Sequence, residues 1–324
     1  MFAGNDIPTM PQYNITKLNI HEVQLSTSER GMAADVSITA YNHHPVTFTV
    51  PPLAFEILIP GCAPEGSLLL LANATTQEIQ VAPNQDIVVN VSGVVRQLPD
   101  TLTAECPGKH ISPLDIFIGD YMHGVDSTIF VRGADAPLDA APSWISDLIK
   151  SVTVPVPVPS HPFDSSIRDF SMSDVHLSLP DPFAAPDAPE AQPQMSAIVN
   201  VLVNLPKEMN FPIGVSRIRA DADVFYHDRK LGFLDMHKWQ KSNSTLVEPH
   251  DEEPPGLAVQ SIIKKVPLHI TDEEVFSDVV QAMLFGGEKI VLGAKAKVDV
   301  ETESVIGKFV IRKIPAEGKV PIKR

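Results

Sequence analysis

ITKLNIHEVQLS, Ile15 to Ser26, returns 152 residues later as IRDFSMSDVHLS, Ile167 to Ser178, and this pair of stretches decides the fold. Ile, Val, Leu and Ser recur at Ile15/Ile167, Val23/Val175, Leu25/Leu177 and Ser26/Ser178, while Leu18/Phe170, Ile20/Met172 and Glu22/Asp174 keep their chemical character. Apolar residues fall two apart within each copy, the period of a half-buried strand. The step from Ile20 to Val23 breaks that alternation by one residue, as a β-bulge would. The chain therefore reads as a tandem repeat of β units, with no duplicated catalytic motif.

Working outward, the same alternation predicts strands at Ala34–Tyr41, Val46–Ile59, Leu68–Leu71, Ile79–Val81, Asp86–Val95 and Ser127–Val131 in the first unit. In the second it predicts Met195–Val203, Val215–Tyr226, Lys230–Met236, Gln260–Leu268, Lys289–Val300 and Val305–Arg312. Each copy places one short helix ahead of its closing strands. Ser112-Pro113 opens the first, with Ser as N-cap and Pro at the first helical position, and Gly124 closes it. Thr271-Asp-Glu-Glu274 reads as a capping box for the second, which ends at Gly286-Gly287.

The expected architecture is mainly β: a first sandwich over 12–158, a second over 159–315, and flexible tails at 1–11 and 316–324. A length of 324 residues suits two units. Val152 to Pro162 (VTVPVPVPSHP) alternates Val with Pro, which removes ladder donors, and reads as a semi-rigid spacer or edge segment. In the short helix before it, Trp144, Ile145 and Leu148 are expected to pack on the first unit. Leu179–Gln194 and Glu248–Gly256, rich in Pro and acid, read as long loops.

The formal charge is −15, and residues 1–150 carry 6 basic against 16 acidic side chains. Phosphate recognition needs clustered Lys and Arg, so direct nucleic-acid binding is excluded. Cys62 and Cys106 lie in Gly/Pro-rich loops of the first unit. In an oxidising compartment they are expected to bridge, and in a reducing one to be two unrelated thiols. Four N-x-S/T sequons, at Asn14, Asn73, Asn90 and Asn243, exceed what eleven asparagines supply by chance and favour a lumenal life. Asn90 is expected on the wet face of its strand. No stretch has the apolar length of a membrane span, so membrane association is expected through a segment upstream of Met1.

ITKLNIHEVQLS, AYNHHPVTFTVPPLAFEI (40–57) and above all VNLPKEMNFPIGVSRIRADADVFYHDRKLGFLDMHKWQ (203–240) resemble the tandem immunoglobulin-like domains in the C-terminal part of fungal vacuolar membrane proteins required for terminating autophagy. Members of that family are often named pre-rRNA processing proteins. The domains are similar to the type-two late-embryogenesis-abundant sandwich, in which a strand precedes an N-x-P type turn, here Asn42-His-His-Pro45 and Asn204-Leu-Pro206. The resemblance spans nearly all of 12–315. It implies a membrane-anchored protein with a large lumenal region in the vacuole.

No GxSxG, HExxH, CxxC, P-loop or GxGxxG motif occurs. His43-His44 sits in a turn. His227 and His237 flank the Arg229–Gly232 turn, near enough in sequence to approach one another beside Asp228. Asp221 and Asp223 read as the wet face of a strand, paired with Arg217 and Arg219. The expectation is a non-enzyme with no cofactor and no metal: a lumenal interaction or sensing module with protein partners. The alternative is a lipid-binding or lipid-transfer sandwich, with Leu68–Leu71 and Met283-Leu-Phe at the mouth of an apolar cavity. A nuclear role on pre-rRNA rests only on the legacy family name.

Overall fold

Period-two stretches become strands throughout the computed structural model, which describes residues 13–63, 66–135, 143–158, 167–185, 188–205, 209–248, 254–285 and 290–322. The first repeat contains β1 (Tyr13–Gln24), β2 (Arg30–Tyr41), β3 (Phe48–Val50), β4 (Ala54–Pro60), β5 (Leu68–Thr76), β6 (Ile79–Val81) and β7 (Asp86–Val95). These are followed by α1 (Asp100–Thr103), α2 (Pro113–Met122), β8 (Ser127–Gly133), α3 (Ser143–Lys150) and β9 (Thr153–Val158). The second contains β10 (Ile167–Ser178), β11 (Gln194–Asn204), β12 (Met209–Asn210), β13 (Ile213–Tyr226), β14 (Arg229–Val247) and β15 (Gly256–Ile270). It closes with α4 (Glu273–Phe285), β16 (Ile290–Ser304) and β17 (Gly307–Ile322). The expected tail 1–11, the linker beyond Val158 and Gly286-Gly287 lie outside the described residues.

The duplication is visible in the strand order. The first sheet runs β1-β2-β7-β5-β4-β8-β9, with β12 added parallel to β1, and the second runs β10-β11-β15-β14-β13-β16-β17. Labelled by chain position within each copy, both read A-B-E-D-C-F-G, the ABED and CFG halves of an immunoglobulin-like sandwich joined through the C–D hairpin. The two first strands bulge at one shared position, Thr16 and Arg168, where the register slips between Ile15 and Lys17 and between Ile167 and Asp169. Asp35 lies opposite Ser92 in one copy and Asn200 opposite Gln260 in the other. Each pair makes a cross-strand hydrogen bond, Ser92 Oγ to Asp35 at 2.8 Å and Gln260 Nε2 to Asn200 at 2.9 Å.

Compact units do not follow the repeat boundary everywhere. Residues 114–126, most of α2 and the turn after it, cluster with the second unit, and 209–211 with the first. On the second unit, Asp115 accepts the Val310 N–H (2.8 Å) and faces the Arg312 guanidinium (3.4 Å), while the His123 ring bonds the Arg312 carbonyl (2.8 Å). These side chains occupy outward-facing backbone groups of β17, an edge strand, as edge protection requires. At the other sheet's edge, Pro155 and Pro157 give β9 two positions without a donor.

Several expectations are corrected. The bulge between Ile20 and Val23 exists only in the second copy, where Asp174 takes φ 51° and the register slips between Ser173 and His176; the first strand pairs without a break there. Val46–Ile59 is split by Pro51-Pro52 into β3 and β4. Residues 316–322 are no tail: β17 pairs with β16 as far as Ile290↔Ile322. Trp144 and Leu148 do not pack into the first unit, being 66% and 60% exposed, because α3 turns that face outward and lays Ile149 against Gly133 instead. The cap of α4 is Asp272, whose Oδ1 accepts the Val275 N–H (3.1 Å), whereas the Thr271 hydroxyl bonds the Leu231 carbonyl. That backbone bond, followed by the Arg229 contact, holds the Asp272 carboxyl below its usual range.

Candidate functional site

In the second unit, the inward residues of β10, β11, β13, β14, β15 and β16 and of α4 form one core, with Val175, Leu231, Leu268, Val275 and Val279 each no more than 1% exposed. That core does not fill the space its strands enclose. A cavity of about 110 Å³ lies among residues that include Ile167, Val203, Ile213, Leu257, Val300 and Ile314, and its lining contributes no polar surface. A second apolar space of about 50 Å³ lies among residues that include Met172, Met195, Met236, Ile263 and Leu292. Phe170, Val199, Ile218 and Val298 line both.

Close packing is the rule inside proteins, and a void of this size costs about 3 kcal/mol at roughly 24 cal/mol per Å³. Its one polar lining residue, Thr302, gives its hydroxyl proton to the Phe309 carbonyl (3.0 Å), so the cavity exposes no polar surface to bind water. An engineered apolar cavity of about 150 Å³ is known to stay dry and to take up benzene. The chamber can hold an apolar group and offers no chemistry to transform one. Neither Leu68–Leu71 nor Met283-Leu-Phe lines it, which corrects the expected mouth; Leu284 and Phe285 are exposed at the end of α4.

The outer face of the same sheet is a lattice of paired charges. Arg217 and Arg219 were expected to meet Asp221 and Asp223 along one strand, but they meet Glu301 and Asp299 instead. Arg217↔Glu301 and Arg219↔Asp299 are direct cross-strand partners in register, closer than residues two apart in one strand. Arg217 bonds Glu301 through Nε (2.9 Å) and a second guanidinium nitrogen, and the Ser216 hydroxyl adds a third bond (2.7 Å). The Arg217 bond is the largest influence holding the Glu301 carboxyl below its usual range, against the opposing effect of burial. Arg219 lies 4.7 Å from the Trp239 ring centroid, a cation–π contact.

Of the remaining polar candidates, only His237 and Asp221 come together. His227 and Asp228, both at positive φ, form the two-residue turn between β13 and β14, so the turn precedes the expected Arg229–Gly232. His227 stacks beside Tyr226. His237 is held instead at Asp221 (3.1 Å) and Asp235 (3.5 Å), where its side chain is 72% exposed. Asp223 pairs with Lys230, and His43 packs edge-on to Tyr41. Among the described residues, no group of three or more His, Cys, Asp or Glu is placed to hold a metal ion.

Cys62 and Cys106 are joined in a disulfide, their Cα atoms 5.5 Å apart and Cys106 3% exposed. Asn14, Asn73 and Asn243 are exposed on their strands. Asn90 is half-buried, accepting from the Ser37 hydroxyl (2.8 Å) and donating to Gln77 (3.3 Å). Its amide nitrogen is therefore already engaged, and the expected wet-face position is only partly realised. Among the described residues, no helix is long and apolar enough to cross a membrane.

The fold and the chamber together define a β-sandwich protein with an apolar interior site in its second unit. Residues 209–323 match the family model described as the Tag1 C-terminal domain, a stretch that carries β13 to β17 and most of the chamber wall. No curated protein is similar enough to the chain to match it.

Proposed function

We propose that this chain is a non-catalytic lumenal module of a vacuolar membrane protein acting in the termination of autophagy, and that its second sandwich binds a lipid chain. The observation that carries the lipid part is the chamber of about 110 Å³ whose lining exposes no polar surface. Support for the setting comes from the match of residues 209–323 to the Tag1 C-terminal domain and from the family resemblance of the motifs at 15–26, 40–57 and 203–240. The Cys62–Cys106 bridge and the exposed sequons at Asn14, Asn73 and Asn243 favour an oxidising, glycosylating compartment. The charge of −15 speaks against work on pre-rRNA.

The test is native mass spectrometry of the chain secreted from a eukaryotic host, before and after extraction with organic solvent. A co-purifying mass in the lipid range that extraction removes is the expected result. A bare protein mass in both samples, with no uptake of added fatty acid, contradicts the lipid reading and leaves a module that works through protein partners.

A further inference from the structure

The chamber's walls differ in how they are held. β11 with β15, β14 with β13, β13 with β16 and β16 with β17 are joined by antiparallel ladders, whereas β14 pairs with β15 at its two ends and parts from it between Leu234 and Ser242. Opening any of these would break a row of backbone hydrogen bonds, each costly to leave unmade. β10 also runs alongside β17, yet among the described residues β10 is paired only with β11, and β17 only with β16. Where β17 presents outward groups at Val310 and Arg312, Asp115 and His123 of the 114–126 segment take them. The β10–β17 line is a seam held by side chains.

One side chain dominates the seam. Phe170, half-buried on β10, lies directly over Gly318 of β17, where an added Cβ would fall 2.1 Å from Phe170 Cδ1 and 3.2 Å from Cγ. Glycine within a strand weakens it and marks a close approach; here the approach is that of an aromatic ring. Phe170 lines both the 110 Å³ and the 50 Å³ spaces together with Val199, Ile218 and Val298, and of these four it is the one that reaches across the seam to β17.

We infer that the β10–β17 seam is the entrance to the chamber and that Phe170, seated on Gly318, sets how deep a ligand reaches. This rests on the lipid reading above and specifies its ligand. A lining that exposes no polar surface leaves a buried carboxylate or hydroxyl unpaired, so the occupant is a hydrocarbon chain whose head group stays at the seam. Swinging Phe170 away from Gly318 breaks no backbone hydrogen bond and widens the way between the two spaces.

The test is titration calorimetry with straight-chain carboxylates from butanoate to dodecanoate, on the whole chain and its variants, because spaces of about 110 and 50 Å³ hold only a few methylenes. Affinity should rise about fourfold per added methylene up to a cutoff length. Phe170→Ala, with Phe170→Leu as the gentler truncation, should move that cutoff to longer chains. Gly318→Ala displaces the ring towards the chamber and should weaken binding at every length, about tenfold or more, with thermal melts confirming that each variant is folded. If the wild type binds but keeps the same cutoff in both Phe170 variants, or if Gly318→Ala binds as well as wild type, the gate is refuted while the lipid reading stands. If the wild type binds no member of the series, both fall.

Discussion

Val23 and Val175 hold the same place in two copies of one strand, yet Val175 is fully buried and Val23 only half-buried. The difference extends along the sheet. Ile20, Val36, Ile38, Val89 and Val91 of β1, β2 and β7 are all half-exposed, while Met172, Met195, Val199, Leu257 and Val259 of β10, β11 and β15 are buried. Strand order is shared, so order does not decide closure; strand length does. In the second unit the closing strands β13, β14, β16 and β17 have 14, 19, 15 and 16 residues, and β17 reaches β10. Their counterparts β4, β5, β8 and β9 have 7, 9, 7 and 6. At about 3.3 Å per residue, these reach along little more than half of β1. The first unit gathers its buried side chains elsewhere, at Leu58, Ile59, Val81, Leu98, Leu102 and Cys106, close to its disulfide.

That contrast can be broken in order of expected effect. Replacing Cys62 and Cys106 by Ser should cost the first unit about 4 kcal/mol, the chain-entropy value for a loop of this size. Differential scanning calorimetry should show the first transition falling while the second stays; equal loss in both would mean that the bridge supports more than its own unit. Next, Val175→Ala should cost about 2–3 kcal/mol and Val23→Ala about 1 kcal/mol or less, because only the former leaves a closed cavity. Similar values from denaturant unfolding would remove the distinction between a closed and an open copy.

A smaller effect concerns acid. The Glu301 carboxyl, held low chiefly by Arg217, stabilises the second unit above the usual carboxylate pKa of about 4.3. That contribution is lost as pH falls from there through the depressed folded value. Glu301→Gln should therefore lower stability at neutral pH and flatten its decline in acid, while the first unit's acid profile stays unchanged. An unaltered pH dependence would mean that the pair is structurally idle. The smallest effect is expected at Trp144→Ala: with two-thirds of the ring in solvent, stability should shift by no more than about 0.5 kcal/mol, and a large loss would return Trp144 to the core.

Periodicity and turn chemistry carried much of this fold. The repeat at 15–26 and 167–178, the strands, and a helix opened by Ser112-Pro113 were legible because each is a local pattern. What escaped was set by distant partners. The end of β17, 316–322, looked like a tail because its pairing depends on β16, and Arg217 found Glu301 rather than Asp221 because cross-strand register outranks sequence proximity. Trp144 appeared to be a core residue because helical spacing shows which side chains share a face, not which way that face turns. The chamber left one faint signal, the isolated glycine Gly318 in a strand, and its meaning needed Phe170 from the other end of the second unit.

Hydrogen–deuterium exchange on the intact, delipidated chain, with and without a straight-chain carboxylate of the cutoff length, asks whether two copies of one topology differ because, among the described residues, the second closes around an apolar chamber and the first does not. The added carboxylate should slow exchange in β10, β11 and β17 and leave β1, β2 and β7 as they were. Protection that appears equally in β1, β2 and β7, or in neither unit, would contradict the account.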